Sequence, residues 1–226
     1  MSRLAIIPAR GGSKRIPHKN IRPFLGKPMI TYVIRTALDS GLFDEVMVST
    51  DDEGIAAIAS GAGATVPFFR SAVNSDDHAT TLQVIEEVLN CYQQDGRIFD
   101  VVCCIYPTAP LMTTTHLSEG LQLLEQKQFD SVFAAVAYGH PIWRGFELRD
   151  GKAGMIWPEN KTVRTQDLKP VYHDAGQWYW LRPDKLKDSI FTANSGMVVL
   201  SEMDVQDIDT PTDWKLAELK YKSRLE

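Results

Sequence analysis

Short apolar runs alternate with longer amphipathic segments over roughly the first 138 residues of the 226-residue chain. Helix-length segments separate most of the runs. Strands that alternate with helices are typical of a parallel sheet covered by helices, so we expect an α/β fold. The runs are rich in β-branched or aromatic residues, which favour strands, and occupy residues 4–8, 46–49, 66–69, 101–106 and 131–136.

Three helices can be delimited from the sequence. Apolar side chains recur at helical spacing through residues 81–92, which predicts a helix with a buried stripe. Another helix should begin near Pro28 and end at Gly41, a residue suited to the left-handed C-cap. A last helix should begin at Thr210, with Pro211 in its first turn.

The alternation fails between residues 138 and 180, where glycine, proline and tryptophan accumulate. The pair Asp150-Gly151 between short apolar pieces predicts a tight hairpin. We therefore expect a β-rich excursion out of the sheet at 138–180, with an irregular flap over the chain's own sheet as the alternative. The chain should return to the sheet through residues 177–181 and 197–200.

Composition narrows the class of protein. A chain with 44% hydrophobic residues is long enough for one well-buried domain, which we expect to span residues 1–226. The net charge of −5 argues against a nucleic-acid partner. The three cysteines have neither a disulfide pattern nor metal-ligand spacing. With no signal segment and no membrane-spanning apolar stretch, the sequence predicts a cytoplasmic protein with no membrane partner.

The loop after the first strand is a candidate polyphosphate site. Gly11 and Gly12 allow close backbone approach, and their N–H groups can form an anion-binding nest. Its position after a strand is where open α/β sheets place ligands, although a solvated basic loop is the alternative. The spacing matches neither a Walker P-loop nor the dinucleotide fingerprint. The loop also supplies four cationic side chains: Arg10, Lys14, Arg15 and Lys19.

Together with this loop, later motifs resemble the CMP-sialic acid synthetase family, cytidylyltransferases that activate acidic sugars. The resemblance spans nearly the whole chain, and within the family the segments 103–110 and 172–177 resemble the pseudaminic acid branch. The segments that carry the resemblance are Pro8-Ala9-Arg10-Gly11-Gly12-Ser13-Lys14, Ile16-Pro17-His18-Lys19-Asn20, Val48-Ser49-Thr50-Asp51-Asp52, Ser75-Asp76-Asp77-His78-Ala79-Thr80-Thr81, Tyr106-Pro107-Thr108-Ala109-Pro110 and Asp207-Ile208-Asp209-Thr210.

The resemblance implies a Rossmann-like, mostly parallel sheet of the nucleotide-diphospho-sugar transferase type. It implies a homodimer in which the excursion at 138–180 dimerises and reaches the partner's active site. The implied substrates are CTP and pseudaminic acid, an acidic nine-carbon sugar whose anomeric hydroxyl attacks the α-phosphate and releases pyrophosphate. Alternatives are the same reaction on sialic, legionaminic or a shorter ulosonic acid, or a non-catalytic regulator that binds sugar nucleotides.

The resemblance also assigns the nucleotide side of the site. Arg10 and Lys19 match positions that contact the phosphates and serve catalysis. Tyr106 departs from the family's glutamine, so its hydroxyl or backbone groups would have to replace the amide's contacts with cytosine. The remaining expected nucleotide-binding residues are Ala9, Gly11, Gly12, Ser13, Lys14, Asn20, Arg70, Ala79, Thr81 and Pro107.

Asp207 and Asp209 form the candidate metal site. Their spacing puts both carboxylates on one side of an extended segment, where hard oxygen ligands can hold Mg²⁺ or another divalent cation. A solvated turn with a helix cap is the alternative for a lone Asp-x-Asp. Asp209 is also a candidate proton acceptor for the attacking hydroxyl, either directly or through metal-bound water.

Four residues are expected to bind the sugar. Arg164 resembles the family's arginine, and its bidentate fork suits a sugar carboxylate. His173 stands where a second arginine is expected, which points to a different nine-carbon acid, although a structural histidine is the alternative. Asp174 and Gln177 complete the candidate set.

Overall fold

The computed structural model describes residues 1–224, so the last two residues of the expected domain 1–226 lie outside the described part. The elements follow in the order β1 (Arg3–Pro8), β2 (Pro23–Phe24), β3 (Lys27–Pro28), α1 (Met29–Ser40), β4 (Glu45–Ser49), α2 (Glu53–Gly61), α3 (Thr81–Gln94), β5 (Val101–Ile105), α4 (Thr114–Lys127), β6 (Ser131–Ala137), β7 (Phe146–Arg149), β8 (Lys152–Met155), β9 (Tyr172–Leu181), β10 (Ser195–Leu200) and α5 (Pro211–Lys222).

Six strands form the central sheet in the order β10-β6-β9-β5-β1-β4. The neighbouring pairs β1–β4, β1–β5 and β6–β10 are parallel, whereas β9 runs antiparallel to both β5 and β6. The expected α/β fold with a mostly parallel sheet is confirmed.

Apolar side chains cover both faces of the sheet, which explains why its strands read as continuous apolar runs. All residues of β5 are buried. One face packs against α1 and α4, and the other packs against α3. Trp178 and Trp180 are fully buried on the first face, and the Trp180 indole N–H donates to the Leu117 carbonyl at 2.9 Å. Both tryptophans therefore serve core packing.

The helix predictions are confirmed. Gly41 ends α1 in the left-handed conformation with φ 63°. The helix expected at 81–92 is α3, which continues to Gln94. Thr210 caps α5 through a reciprocal capping box, and Pro211 lies in the first turn.

The strand expected at 66–69 is wrong. Only Thr65 makes an isolated bridge, to Met47 of β4. Pro67 has no N–H to donate to a ladder, so pairing cannot continue through it. The segment instead runs along the end of β4 to Arg70, whose backbone N–H donates to the Thr50 carbonyl at 2.8 Å.

The excursion contains the predicted hairpin and is shorter than expected. Strands β7 and β8 are joined at Asp150 and Gly151, whose φ values of 51° and 75° match a tight turn with both central residues left-handed. The C-terminal boundary at 180 is wrong, because β9 begins at Tyr172 and lies within the main sheet. The sheet strand expected at 177–181 is therefore the second half of a longer one.

The carboxyl ends of β1, β4, β5 and β6 lie along one edge of the sheet, together with the start of the antiparallel strand β9. Open α/β sheets bind ligands at this edge. Among residues 1–224, no helix combines the length and apolar character needed to cross a membrane.

Candidate active site

A cavity of about 510 Å³ lies at the carboxyl ends of β1 and β5. Its cationic side comes from the loop after β1, and its opposite wall comes from the segment after β5. Seven of the expected nucleotide-side residues line it: Arg10, Ser13, Lys14, Lys19, Asn20, Tyr106 and Pro107.

Backbone contacts hold the loop after β1 at the mouth of this cavity. The Ala9 N–H donates to the Ser49 carbonyl at 2.9 Å. The buried side-chain amide of Asn20 donates through Nδ2 to the Arg10 carbonyl at 2.9 Å. Asn20 therefore shapes the loop from inside.

Gly11 differs from the expected nest. Its N–H donates to Asp51 Oδ1 at 2.9 Å, so this donor is engaged within the protein. A Cβ at Gly11 would lie 2.9 Å from Asp52 Oδ2 and 3.1 Å from Asp52 Cβ, so a larger residue here would require the Asp52 side chain to shift. Gly12 is exposed and has open space around it.

The sequence did not single out Asp77 as a site residue, although it lies within the family-like segment 75–81. Its Oδ1 lies 2.7 Å from Arg10 Nη1, and its other oxygen pairs with Lys14. Hydrogen bonds from Lys14 and Arg10 lower the pKa of Asp77 to about 2. The two cations therefore converge on a single anionic group, as they would on a phosphate.

A smaller cavity of about 180 Å³ adjoins the first through Arg10 and Asp77, and Arg70, Ala79 and Thr81 line it. The buried Arg70 guanidinium donates to the Ser49 side chain at 3.0 Å and to the Ser49 carbonyl. Burial lowers the pKa of Arg70. The Arg70 guanidinium therefore lies in the wall of the cavity, bonded to Ser49, and does not project into the cavity.

The third cavity is acidic and has a volume of about 470 Å³. The start of β9 and the segment after β10 form its walls, because β9 begins and β10 ends at the same edge of the sheet. Four expected site residues line it: His173, Asp174, Asp207 and Asp209.

An ion-paired contact separates the cationic cavity from the acidic one. Lys19 Nζ lies 3.4 Å from Asp209 Oδ1 and donates to the Ile208 carbonyl at 2.6 Å. Arg15 Nη1 lies 2.8 Å from Asp209 Oδ2. Residues from the two ends of the chain therefore meet where the two cavities come together.

The negative charge of Asp207 is less neutralised by nearby cations than that of Asp209. Burial raises its pKa, and the Asp209 carboxylate raises it further. Both residues line the acidic cavity. Within residues 1–224, no cluster of three or more His, Cys, Asp or Glu side chains could hold a metal by itself. A divalent cation at this pair would take its further ligands from substrate oxygens and water.

The four sugar-side candidates do not come together within one chain. His173 is exposed, and its Nδ1 lies 2.9 Å from the Asp174 carbonyl. Gln177 is only 1% exposed and donates to the Asp204 carbonyl at 2.7 Å, so it faces the interior. Arg164 is exposed on the excursion and lines none of the three cavities.

Comparison with known proteins gives consistent results. A family model described as cytidylyltransferase matches residues 4–208. The chain is 43% identical over 229 aligned positions to pseudaminic acid cytidylyltransferase of Campylobacter jejuni subsp. jejuni serotype O:2, covering 98% of this chain and 97% of that protein.

Two further matches agree. The chain is 37% identical to a Helicobacter pylori protein named pseudaminic acid cytidylyltransferase and UDP-2,4-diacetamido-2,4,6-trideoxy-beta-L-altropyranose hydrolase, covering 92% of this chain and 40% of that protein. The solved structure of CMP:2-keto-3-deoxy-manno-octonic acid synthetase complexed with CTP is similar in fold, with a TM-score of 0.71 and 19% identity over 99% of this chain and 100% of that one.

Proposed function

The chain belongs to the cytidylyltransferase family, and from this we propose that it transfers the cytidylyl group of CTP to pseudaminic acid, releasing pyrophosphate. One observation carries the proposal: a cationic cavity and an acidic cavity meet at the contact between Lys19 and Asp209. The triphosphate would occupy the first cavity and the sugar the second, so the α-phosphate and the anomeric hydroxyl would meet between them.

The cations of the first loop would stabilise the charge that moves during the reaction. The anomeric hydroxyl oxygen attacks the α-phosphorus and gives up its proton, for which Asp209 is the candidate acceptor. The bond from that phosphorus to the pyrophosphate oxygen breaks, and the anomeric carbon keeps its own oxygen. Arg10 and Lys14 already converge on one carboxylate, so the same pair can hold phosphate oxygens once Asp77 is displaced. Lys19 stands at the junction, where it can contact the α-phosphate.

Asp207 and Asp209 fit a divalent cation such as Mg²⁺. Burial raises the pKa of Asp207, the like charge of Asp209 raises it further, and a bound cation would relieve the repulsion between the two carboxylates. When bound, such an ion supplies Lewis-acid polarisation of the phosphate. Asp209 is held by Arg15 and Lys19, which keeps the pair oriented along the wall of the acidic cavity.

The sugar carboxylate needs a cationic partner, and few cationic side chains line the acidic cavity of one chain. Arg164 lies on the excursion, outside that cavity, and its guanidinium suits a carboxylate. We assign this contact to Arg164 of a second copy in a homodimer. Phe146 and Leu148 of the hairpin are exposed apolar side chains that a second copy would cover.

Three free cysteines, Cys91, Cys103 and Cys104, support the proposal that the enzyme works in the cytoplasm, where thiols stay reduced.

Pyrophosphate release from CTP tests the proposal, with Mg²⁺ and equal concentrations of pseudaminic, sialic, legionaminic and 2-keto-3-deoxy-manno-octonic acids. We expect pseudaminic acid to have the highest kcat/KM, because His173 and Tyr106 replace residues expected in sialate enzymes. A higher value for another acid would move the substrate assignment to that sugar. If no pyrophosphate is released with any of the four acids, the result would favour a regulator that binds sugar nucleotides without turnover.

A further inference from the structure

Asp174 is exposed, yet both of its carboxylate oxygens accept hydrogen bonds from the chain itself. Its Oδ1 accepts a hydrogen bond from the Gly176 N–H at 2.9 Å, and its Oδ2 accepts one from the Tyr179 hydroxyl at 2.5 Å. Each carboxylate oxygen therefore has one donor from the chain's own strand, while the carboxylate lines the acidic cavity.

The segment between these donors is a bulge in β9. Strand β6 advances two residues, from Phe133 to Ala135, while the paired residues of β9 change from Tyr179 to Asp174. Gly176 makes this possible with φ 62°, a conformation that favours glycine. An added Cβ at Gly176 would lie 3.7 Å from Asp207 Cγ, so the bulge lies directly against the candidate metal ligand.

Tyr179 is buried, with 2% of its surface exposed, and is not among the residues that line the acidic cavity. Burial raises its pKa, and the neighbouring Tyr106 and Asp174 raise it further, so the phenol stays protonated and donates. Its ring packs against that of Tyr106, with 5.2 Å between centroids, and the Tyr106 hydroxyl lies 2.8 Å from Thr81 Oγ1 in the nucleotide region.

We propose that Tyr179 is a positioning residue: its hydroxyl holds the β9 bulge so that Asp174 points into the acidic cavity and accepts hydrogen bonds from hydroxyl or amide N–H groups of the sugar. The inference rests on the proposed function for the identity of the ligand. The Asp174 carboxylate can accept hydrogen bonds from such donors. The sugar's own carboxylate would repel Asp174 and needs a cationic partner at another position.

The test is Tyr179→Phe, which removes one oxygen and keeps the ring in the core. Freed from its buried donor, Asp174 should sample other rotamers, and we expect the KM for the sugar to rise about tenfold. The KM for CTP should stay within about twofold, because Tyr106 keeps its contact with Thr81.

Tyr92→Phe is the matched control. The Tyr92 hydroxyl is also buried in the same core cluster and donates to Glu45 Oε1 at 2.6 Å, and Tyr92 lines none of the three cavities. This variant should lose stability without any change in sugar KM. An equal rise in sugar KM in both variants would show a general effect of core damage and overturn the proposal.

A double-mutant cycle identifies the residue through which Tyr179 acts. In an Asp174→Ala background, Tyr179→Phe should have no further effect on sugar KM. The same rise in both backgrounds would overturn the proposed route through Asp174. An unchanged sugar KM for Tyr179→Phe in the wild-type background would overturn the proposal as a whole.

Amide hydrogen exchange gives a readout that does not depend on turnover. The Gly176 N–H is bonded to Asp174, so Tyr179→Phe should increase exchange in the 174–176 segment, while Tyr92→Phe should not. If the wild type releases no pyrophosphate with any sugar, the proposed function fails, and exchange still decides the positioning role. Unchanged exchange at 174–176 in Tyr179→Phe would refute that role.

Discussion

The Arg10→Ala variant tests whether the Arg10 guanidinium contributes to the reaction rate more than to the stability of the fold. Arg10 Nη1 lies 2.7 Å from Asp77 Oδ1, and the two side chains are 32% and 37% exposed. A pair this accessible is screened by water and contributes about 0–1 kcal/mol to stability. The free energy of unfolding should therefore fall by no more than about 1 kcal/mol.

The effect on the reaction should be much larger. Arg10 lines both cavities on the nucleotide side, and we expect it to stabilise charge on the phosphate oxygens in the transition state. Removing one well-placed donor of this kind costs about 2.7–4 kcal/mol in barrier height. This corresponds to a fall in kcat of about 10²–10³-fold.

The assay is pyrophosphate release at saturating CTP and sugar, with urea unfolding measured on the same preparations. Arg35→Ala is the matched control, since Arg35 pairs with Asp39 at 2.8 Å on the surface of α1 and lines none of the three site cavities. It should leave kcat unchanged. A kcat for Arg10→Ala within a few-fold of wild type, at saturating substrates, would refute the role of Arg10 in the transition state.

Three further predictions concern the metal pair, the shared site and acid stability. Asp207→Ala should lower kcat at least about a hundredfold while thermal unfolding stays cooperative; near-normal turnover would remove the metal assignment. Mixing Arg164→Ala and Asp209→Ala chains should restore about a quarter of wild-type activity if each site takes Arg164 from its partner, and none if each chain works alone.

Burial raises the pKa of Glu45, but hydrogen bonds and Arg97 outweigh this effect and lower it below 4.5. The stability that Glu45 adds is therefore present above about pH 4.5 and is lost as the pH falls through the lowered pKa. In urea unfolding, the advantage of wild type over Glu45→Gln should shrink below this pH, and a constant difference would contradict it.

Local patterns determined most of the fold. The β-branched runs at 4–8, 46–49, 101–106 and 131–136 all became strands of the main sheet, because strands buried on both faces need continuous apolar sequence. The α5 cap at Thr210 and the hairpin at Asp150-Gly151 were also predictable, since cap and turn chemistry acts within a few residues.

The strand expected at 66–69 was wrong for a local reason: the run has strand-like composition, but Pro67 within it removes the donor that pairing requires. The start of β9 was not predictable from local patterns. Tyr172 to Gly176 lacks a clean alternation because the bulge puts extra residues into β9, and only the neighbouring strand β6 reveals them as part of the sheet.

The chemical types at the candidate site were evident from the sequence, and their partners were not. The cations after β1 and the carboxylates before α5 lie about 190 positions apart, and only the fold brings Lys19 to 3.4 Å from Asp209. The same holds for Asp77 between Arg10 and Lys14, and for the exclusion of Gln177 from the cavity.

The physical reason is the range of the interactions. Helix periodicity, caps and tight turns are set by neighbours along the chain, so the sequence by itself determined them. Ion pairs and buried hydrogen bonds depend on distances of about 3 Å between residues far apart in sequence. Only the tertiary structure could therefore show that Tyr179, which reads as an ordinary core aromatic, holds a carboxylate at the edge of the acidic cavity.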